Sequence, residues 1–248
     1  MSETKPVAKS LAIVTPGSSF PAEWLIEYDQ TFLYIAHRFR FSRIYAKSNN
    51  IYLTRQTACQ QVLADPSGVP DYVLWIDSDN PPRLEAFVNL MAQLEASERN
   101  TDPSLPPIDI IGGWYRYSNP NDGETRVAAG YGKGTRDGQL TESEIRRAAK
   151  AKTLIEDLRY IGFGLLLMRG EALARLGPQG FAPIVVSDAR GFLTDDVSWC
   201  ARAIEAGYRI YLHPEAFVEH LKFAAVPSAE SKVLPISNSK DFVEERAS

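Results

Sequence analysis

Between Asp71 and Arg83 the chain reads Asp-Tyr-Val-Leu-Trp-Ile-Asp-Ser-Asp-Asn-Pro-Pro-Arg, and no other stretch restricts the fold as much. An apolar run rich in β-branched and aromatic side chains stops at two carboxylates, Asp77 and Asp79, and then at two prolines. Such a run is a buried strand, and the prolines require it to end in a turn. In open α/β sheets the carboxyl ends of the strands form the ligand-binding edge. Two acids one residue apart at that edge concentrate negative charge, and a divalent cation is the natural partner. A helix is expected next, with Asn80 as N-cap, Pro81 in its first position and Leu84, Phe87, Val88, Met91 and Leu94 on one apolar face.

The preceding segments fit the same architecture. Leu11 to Gly17 reads as a short buried strand breaking at Pro16-Gly17, a turn that should share the sheet edge with Asp77. Trp24, Leu25, Tyr28, Phe32 and Ile35 mark a helix from Pro21 to about Arg38, and Ser42 to Ala46 a strand. From Tyr52 to Leu63, Leu53, Ala58 and Val62 mark a helix that carries Arg55 near its start. Beyond the central stretch, Ile108 to Tyr115 is a strand with two glycines, and Trp114, Tyr115 and Tyr117 offer either an aromatic ligand platform or core. Asn119 to Gln139, laced with glycine, reads as a hairpin or loop, and Thr141 to Glu144 as a capping box opening a surface helix. Tyr160 to Met168 reads as one strand, and Glu171 to Leu176 as a helix stopped by Gly177.

A second acidic turn lies far along the chain. Thr194 is placed to cap a helix that begins Asp195-Asp196 and ends at Gly207. Tyr208 to Leu212 and Ala216 to Val218 read as two strands, the second ending in Glu219-His220. His37 and His213 are expected to be structural.

Composition narrows the class. The chain has 248 residues, 44% hydrophobic and 23% charged, with a formal charge of −4, which suits one large α/β domain and not a protein built on phosphate-backbone contacts. Cys59 and Cys200 lack partners at metal-ligand spacing and read as buried thiols. Neither a transmembrane run nor a signal-peptide core is found, so a cytoplasmic protein is the expectation.

Asp77-Ser78-Asp79 after a buried strand, followed by Asp195-Asp196, the run Cys-x-Arg-Ala-x-x-Ala-Gly-Tyr-Arg-Ile-Tyr-x-His-Pro and a closing His220, resembles the glycosyltransferases of the GT-A fold that carry a D-x-D motif, particularly those of family-2 type. The resemblance spans about Leu11 to Lys222. It implies a Rossmann-like α/β fold with a mixed, mostly parallel sheet, an extension over 1–10 and a tail or lid over 223–248. It also implies a nucleotide-diphosphate sugar donor and Mn2+ or Mg2+ as cofactor, with Asp79, His220 and Asp77 at the metal. Thr15, Pro16, Arg55, Asp77 and Ser78 would face the donor, Asp196 would be the base that activates the acceptor hydroxyl with inversion, and Asp195 would hold acceptor hydroxyls. The chain departs from the family at Gln56, where Asn is usual, and at Asp195, where Glu is usual. The acceptor, whether glycan, lipid-linked precursor, protein or modified nucleobase, is left open. Two other readings stand beside this one: a haloacid-dehalogenase-like phosphohydrolase with Asp77 as nucleophile, and a sugar-nucleotide-binding module without catalysis.

Overall fold

The computed structural model describes residues 8–17, 19–118, 123–132, 138–186 and 191–221. Lys222 and the expected tail over 223–248 lie outside the described residues, as does most of the extension over 1–10. In chain order the elements are β1 (Ser10–Pro16), α1 (Ala22–Arg38), β2 (Arg40–Ala46), α2 (Ile51–Leu63), β3 (Tyr72–Ile76), α3 (Leu84–Arg99), β4 (Ile110–Trp114), β5 (Arg116–Ser118), β6 (Thr125–Val127), β7 (Ala129–Gly130), α4 (Glu142–Ala151), β8 (Tyr160–Ile161), β9 (Leu165–Arg169), α5 (Gly170–Leu176), α6 (Asp195–Glu205) and β10 (Ile210–Phe217). A short 3-10 helix covers Pro178–Phe181.

Six strands form the central sheet in the order β10-β4-β9-β3-β1-β2. β9 runs antiparallel to β3 and β4, and the other pairs are parallel. The expected α/β class with a mixed, mostly parallel sheet is therefore what the chain adopts. Alternation along β3 sends Val73 and Trp75 to one face and Tyr72, Leu74 and Ile76 to the other. On the first face they meet Ala58, Cys59 and Val62 of α2 and Trp199, Cys200 and Ala203 of α6. On the second they meet Trp24, Tyr28 and Ile35 of α1 and Phe87, Leu90 and Leu94 of α3. Burial of side chains such as Leu74 and Ile76 contributes roughly 1.5–3 kcal/mol each. β3, covered on both sides, is the rigid support on which the acidic turn stands.

Local signals explain several helix starts. Asn50 Oδ1 accepts from the Tyr52 and Leu53 amides to cap α2, and Thr141 with Glu144 closes the expected capping box of α4. Four expectations are corrected. Asn80 is not an N-cap: the Arg83 N–H turns back to the Pro81 carbonyl at 3.0 Å, α3 starts only at Leu84, and the Asn80 amide group is committed to the Glu219 carbonyl. Thr194 stands at the N-cap position of α6 but makes no capping bond, because its hydroxyl turns to the Asp196 carboxylate. Tyr160 to Met168 is two strands, since the chain turns at Gly162-Phe163-Gly164 and only β9 enters the central sheet. β10 is one strand, running through His213-Pro214 with a register shift between Leu212 and Phe217.

Candidate active site

The turn after β3 is pinned from several directions. The Trp24 indole N–H donates to the Asp77 carbonyl at 3.0 Å, the Asn80 amide N–H to the same carbonyl at 3.1 Å, and the Leu221 N–H to the Asp79 carbonyl at 2.7 Å. Gly17 lets the end of β1 approach this turn: it has φ +143°, and a Cβ there would lie 2.3 Å from Ser78 Oγ. Asn80 Nδ2 donates to the Glu219 carbonyl at 2.7 Å, and Arg83 reaches the Glu219 carboxylate at 2.6 Å. The end of β10 is thereby tied to the acidic turn, which brings His220 Nε2 to 3.1 Å from Asp79 Oδ2.

Arg55 occupies the centre. Its side chain is buried, Nη2 donates to Asp77 Oδ2 at 3.0 Å, and Nε donates to Asp195 Oδ2. Burial alone lowers its pKa, but the Asp77 and Asp195 carboxylates outweigh that and hold the guanidinium charged. Burial pushes the Asp77 carboxyl up, with Arg55 pulling it back. Asp77 Oδ1, Arg55 Nη1 and His220 Nδ1 are buried without a hydrogen-bond partner, which concentrates unmet polar groups around this one turn.

Asp196 points to a different environment. Burial, with the Asp195 charge beside it, pushes its carboxyl up to about 6, while the Thr194 hydroxyl, Arg55 and the Val197 N–H hold the charged form. A second tie comes from the Tyr52 hydroxyl, which donates to the Leu193 carbonyl at 2.8 Å and joins the start of α2 to the loop before α6.

Two clefts meet at this cluster. One, of about 400 Å³, is lined by Pro16, Gly17, Lys47 and Asn49 on the β1 and β2 side and by Thr54, Arg55, Asp77, Ser78 and Asp79 on the other. The other, of about 330 Å³, is lined by Tyr115, Tyr117, Tyr160, Asp195, Asp196 and His220 among others. Of the residues expected to face a donor, Pro16, Arg55, Asp77 and Ser78 line the first cleft. Thr15 does not: it lies beneath, 1% exposed, with its hydroxyl unpartnered. Trp114 is not part of a platform, because its ring packs on Phe217 and its N–H donates to the Pro214 carbonyl. His213 is structural as expected, its Nδ1 accepting the Glu215 N–H.

Among the described residues no three His, Cys, Asp or Glu side chains come close enough to hold a metal ion by themselves. Asp79 and His220 alone form a two-residue set of one carboxylate and one imidazole. Their 3.1 Å separation fits two neighbouring positions around a small divalent ion, which for bonds near 2.1 Å at right angles stand about 3 Å apart. The pair therefore fits such an ion, with a ligand's oxygens and water supplying the remaining donors.

Tyr160 and Lys47 were not anticipated from the sequence as site residues. Lys47 follows β2 at the same sheet edge as Pro16, a placement that parallel pairing of β1 and β2 makes readable. No family model matches the sequence, and no curated protein matches it either. Similar solved structures include GalNAc-T7 with UDP, GalNAc and Mn2+, at TM-score 0.49 and 11% identity, over 96% of this chain and 48% of that one. They also include the mannosyltransferase PcManGT from Pyrobaculum calidifontis with GDP-Man and Mn2+, at TM-score 0.42 and 13% identity, over 92% of this chain and 62% of that one. Glucosyl-3-phosphoglycerate synthase from Mycobacterium tuberculosis, with Mn2+, UDP and phosphoglyceric acid, matches at TM-score 0.37 and 13% identity, over 87% and 72%. The chain spans about half the length of GalNAc-T7 and less than two thirds of PcManGT. With TM-scores below 0.5, these likenesses carry no weight for activity, which has to be read from the chain's own side chains.

Proposed function

We propose that this protein is a divalent-metal-dependent glycosyltransferase of the GT-A type, moving a sugar from a nucleoside-diphosphate donor to an acceptor hydroxyl with inversion. The observation that supports it is the contact of Asp79 with His220 on the border of two clefts, one bearing Lys47 and Arg55 and the other bearing Asp195 and Asp196. Lys47 in the first cleft suits a diphosphate bridged to it by a cation on Asp79, and the carboxylates of the second cleft suit hydroxyls. In this reading the donor lies in the larger cleft against Pro16, Gly17 and Ser78, with Lys47 opposing its negative charge. Asp79 and His220 would hold Mn2+ or Mg2+, with Asp77 beside them, and the bound ion would act as a Lewis acid on the departing diphosphate. Arg55 fixes Asp77 and Asp195 in one arrangement. Asp196 receives the acceptor hydroxyl's proton as that oxygen attacks, and its carboxyl, raised toward neutrality, matches the role of a general base better than an ordinary aspartate would.

A phosphohydrolase with Asp77 as nucleophile is less favoured, because Arg55 engages Oδ2 and Oδ1 is buried. The test is a thermal-shift panel of UDP-, GDP-, CMP- and dTDP-sugars with and without Mn2+, followed by an assay of nucleotide release. Metal-dependent stabilisation by one nucleotide class, with nucleotide released on adding acceptor, is the expected result. Stabilisation without release would identify a binding module, and phosphate release from an aryl phosphate a hydrolase.

A further inference from the structure

The central sheet ends at β2, and among the described residues no strand pairs with its outer side. β2 is seven residues long and follows β1 without interruption from Arg40 to Ala46. The Arg40 N–H donates to the Lys9 carbonyl and the Ala46 carbonyl accepts from the Gly17 N–H, so residues of that parity bond toward β1. The N–H and C=O groups of Phe41, Arg43 and Tyr45 therefore point away from the sheet. Monomers blunt such an edge with proline, lysine, a bulge or a very short strand, and β2 has none of these.

The side chains along this edge are apolar as well. Phe41 meets the Phe32 ring of α1 edge-on at 5.0 Å, Arg43 lies over the same ring at 4.8 Å, and Tyr45 meets Phe20 at 6.1 Å. Tyr34 and Arg38 turn from α1 toward Phe87 and Glu95 of α3, so the opposite flank of α1 looks out over the open edge. That flank carries Leu25, Ile26 and Leu33, which are 47%, 61% and 60% exposed, beside Phe41 at 38% and Tyr45 at 49%. Single exposed apolar side chains are ordinary, but five gathered along an unpaired strand mark an interaction surface.

Two charges fit the surface to a copy of itself. Asp29 lies on the same flank of α1, about one turn before Phe32, on whose ring Arg43 rests. Among the described residues neither Asp29 nor Arg43 makes an ion pair. A patch with one free acid and one free base is complementary to itself under a two-fold rotation, which sets Asp29 of each copy toward Arg43 of the other. A membrane is a poorer match, because an interfacial helix sets Lys and Arg beside its apolar residues and this flank carries Asp29. The segment over 223–248 follows β10, the strand at the opposite edge of the sheet.

From this combination we infer that the edge is occupied by a second copy of this chain, joined β2 to β2 in antiparallel fashion so that the sheet continues across a two-fold axis. Leu25, Ile26 and Leu33 of the two copies close over the seam. The acidic turns then lie at opposite ends of the joined sheet, and the inference does not depend on the glycosyltransferase reading.

The experiment is sedimentation equilibrium of the full chain over about 1–100 µM, with folding of each variant checked by circular dichroism. Most of the parent is expected at twice the mass of the chain at the upper concentration. Leu33→Glu, a change at an exposed position, is expected to weaken self-association at least about tenfold. Asp29→Arg and Arg43→Glu are each expected to weaken it about tenfold, since the symmetry disrupts two pairs at once, and the combined variant to return within about threefold of the parent. Amides of Phe41, Arg43 and Tyr45 are expected to exchange hydrogen at least about tenfold more slowly in the associated state than after dilution. A monomeric parent at about 100 µM, association untouched by Leu33→Glu, a combined variant no better than its single changes, or unchanged exchange along β2 would overturn the inference.

Discussion

Nη2 of Arg55 lies 3.0 Å from Oδ2 of Asp77 inside the protein, and the same guanidinium reaches Asp195. Both carboxylates depend on this single cation for their placement. Arg55→Met leaves two buried acids without a counter-charge, and a loss of about 3–5 kcal/mol in unfolding free energy at neutral pH is expected. Denaturant unfolding measures it. The same variant is expected to recover part of that loss at acidic pH, where the acids are protonated.

If Asp196 is the proposed base, it links catalysis and stability with opposite signs. Its folded pKa of about 6 is above the usual value of about 3.9 for a free aspartate. A raised carboxyl pKa contributes stability that is fully present below the unfolded value and is lost as pH rises through the folded one. Asp196→Asn is therefore expected to be more stable than the parent at pH 8, by up to about 3 kcal/mol, with the difference vanishing near pH 3. Thermal or urea unfolding across pH tests this. Under the proposed function, transfer by the parent chain is expected to fall below pH about 6 as Asp196 takes up a proton, and Asp196→Asn is expected to lose at least about 100-fold in turnover while retaining donor binding.

Gly17 sets how closely β1 approaches the acidic turn. Gly17→Ala forces a side chain into φ +143° and against Ser78, so a destabilisation of roughly 1–3 kcal/mol and a weaker donor-induced thermal shift are expected. An unchanged donor shift would separate this contact from donor binding.

Much of this arrangement can be read from the sequence because its signals are local. The buried run of β3 and its stop at Asp77, the parallel character of the sheet and the Thr141 capping box all follow from periodicity, composition and turn chemistry. The antiparallel entry of β9 between β3 and β4 does not, since apolar residues in Leu165–Met168 satisfy either direction equally well. The division at Gly162-Phe163-Gly164 depends on Tyr115 and Asn80, side chains far away in sequence. Pro214 reads as a strand breaker, yet it is accommodated where β10 shifts register. Arg55 is the instructive case. A helical face drawn through Leu53 leaves the arginine at the surface, but Leu53 is 53% exposed and Arg55 4%. Arg55, Ala58, Cys59 and Val62 share the i, i+3, i+4, i+7 spacing of the buried face, a signal that the charge on Arg55 conceals.

The most direct measurement is a titration of Mn2+ into the full chain with UDP or GDP present, repeated for Asp79→Ala and His220→Ala, with each protein's folding checked by circular dichroism. Saturable binding of Mn2+ by the parent, weakened at least about tenfold in each variant, is the expected result. Equal Mn2+ affinity in the parent and both well-folded variants would contradict a cation shared by Asp79 and His220, and with it the proposed glycosyl transfer at this site.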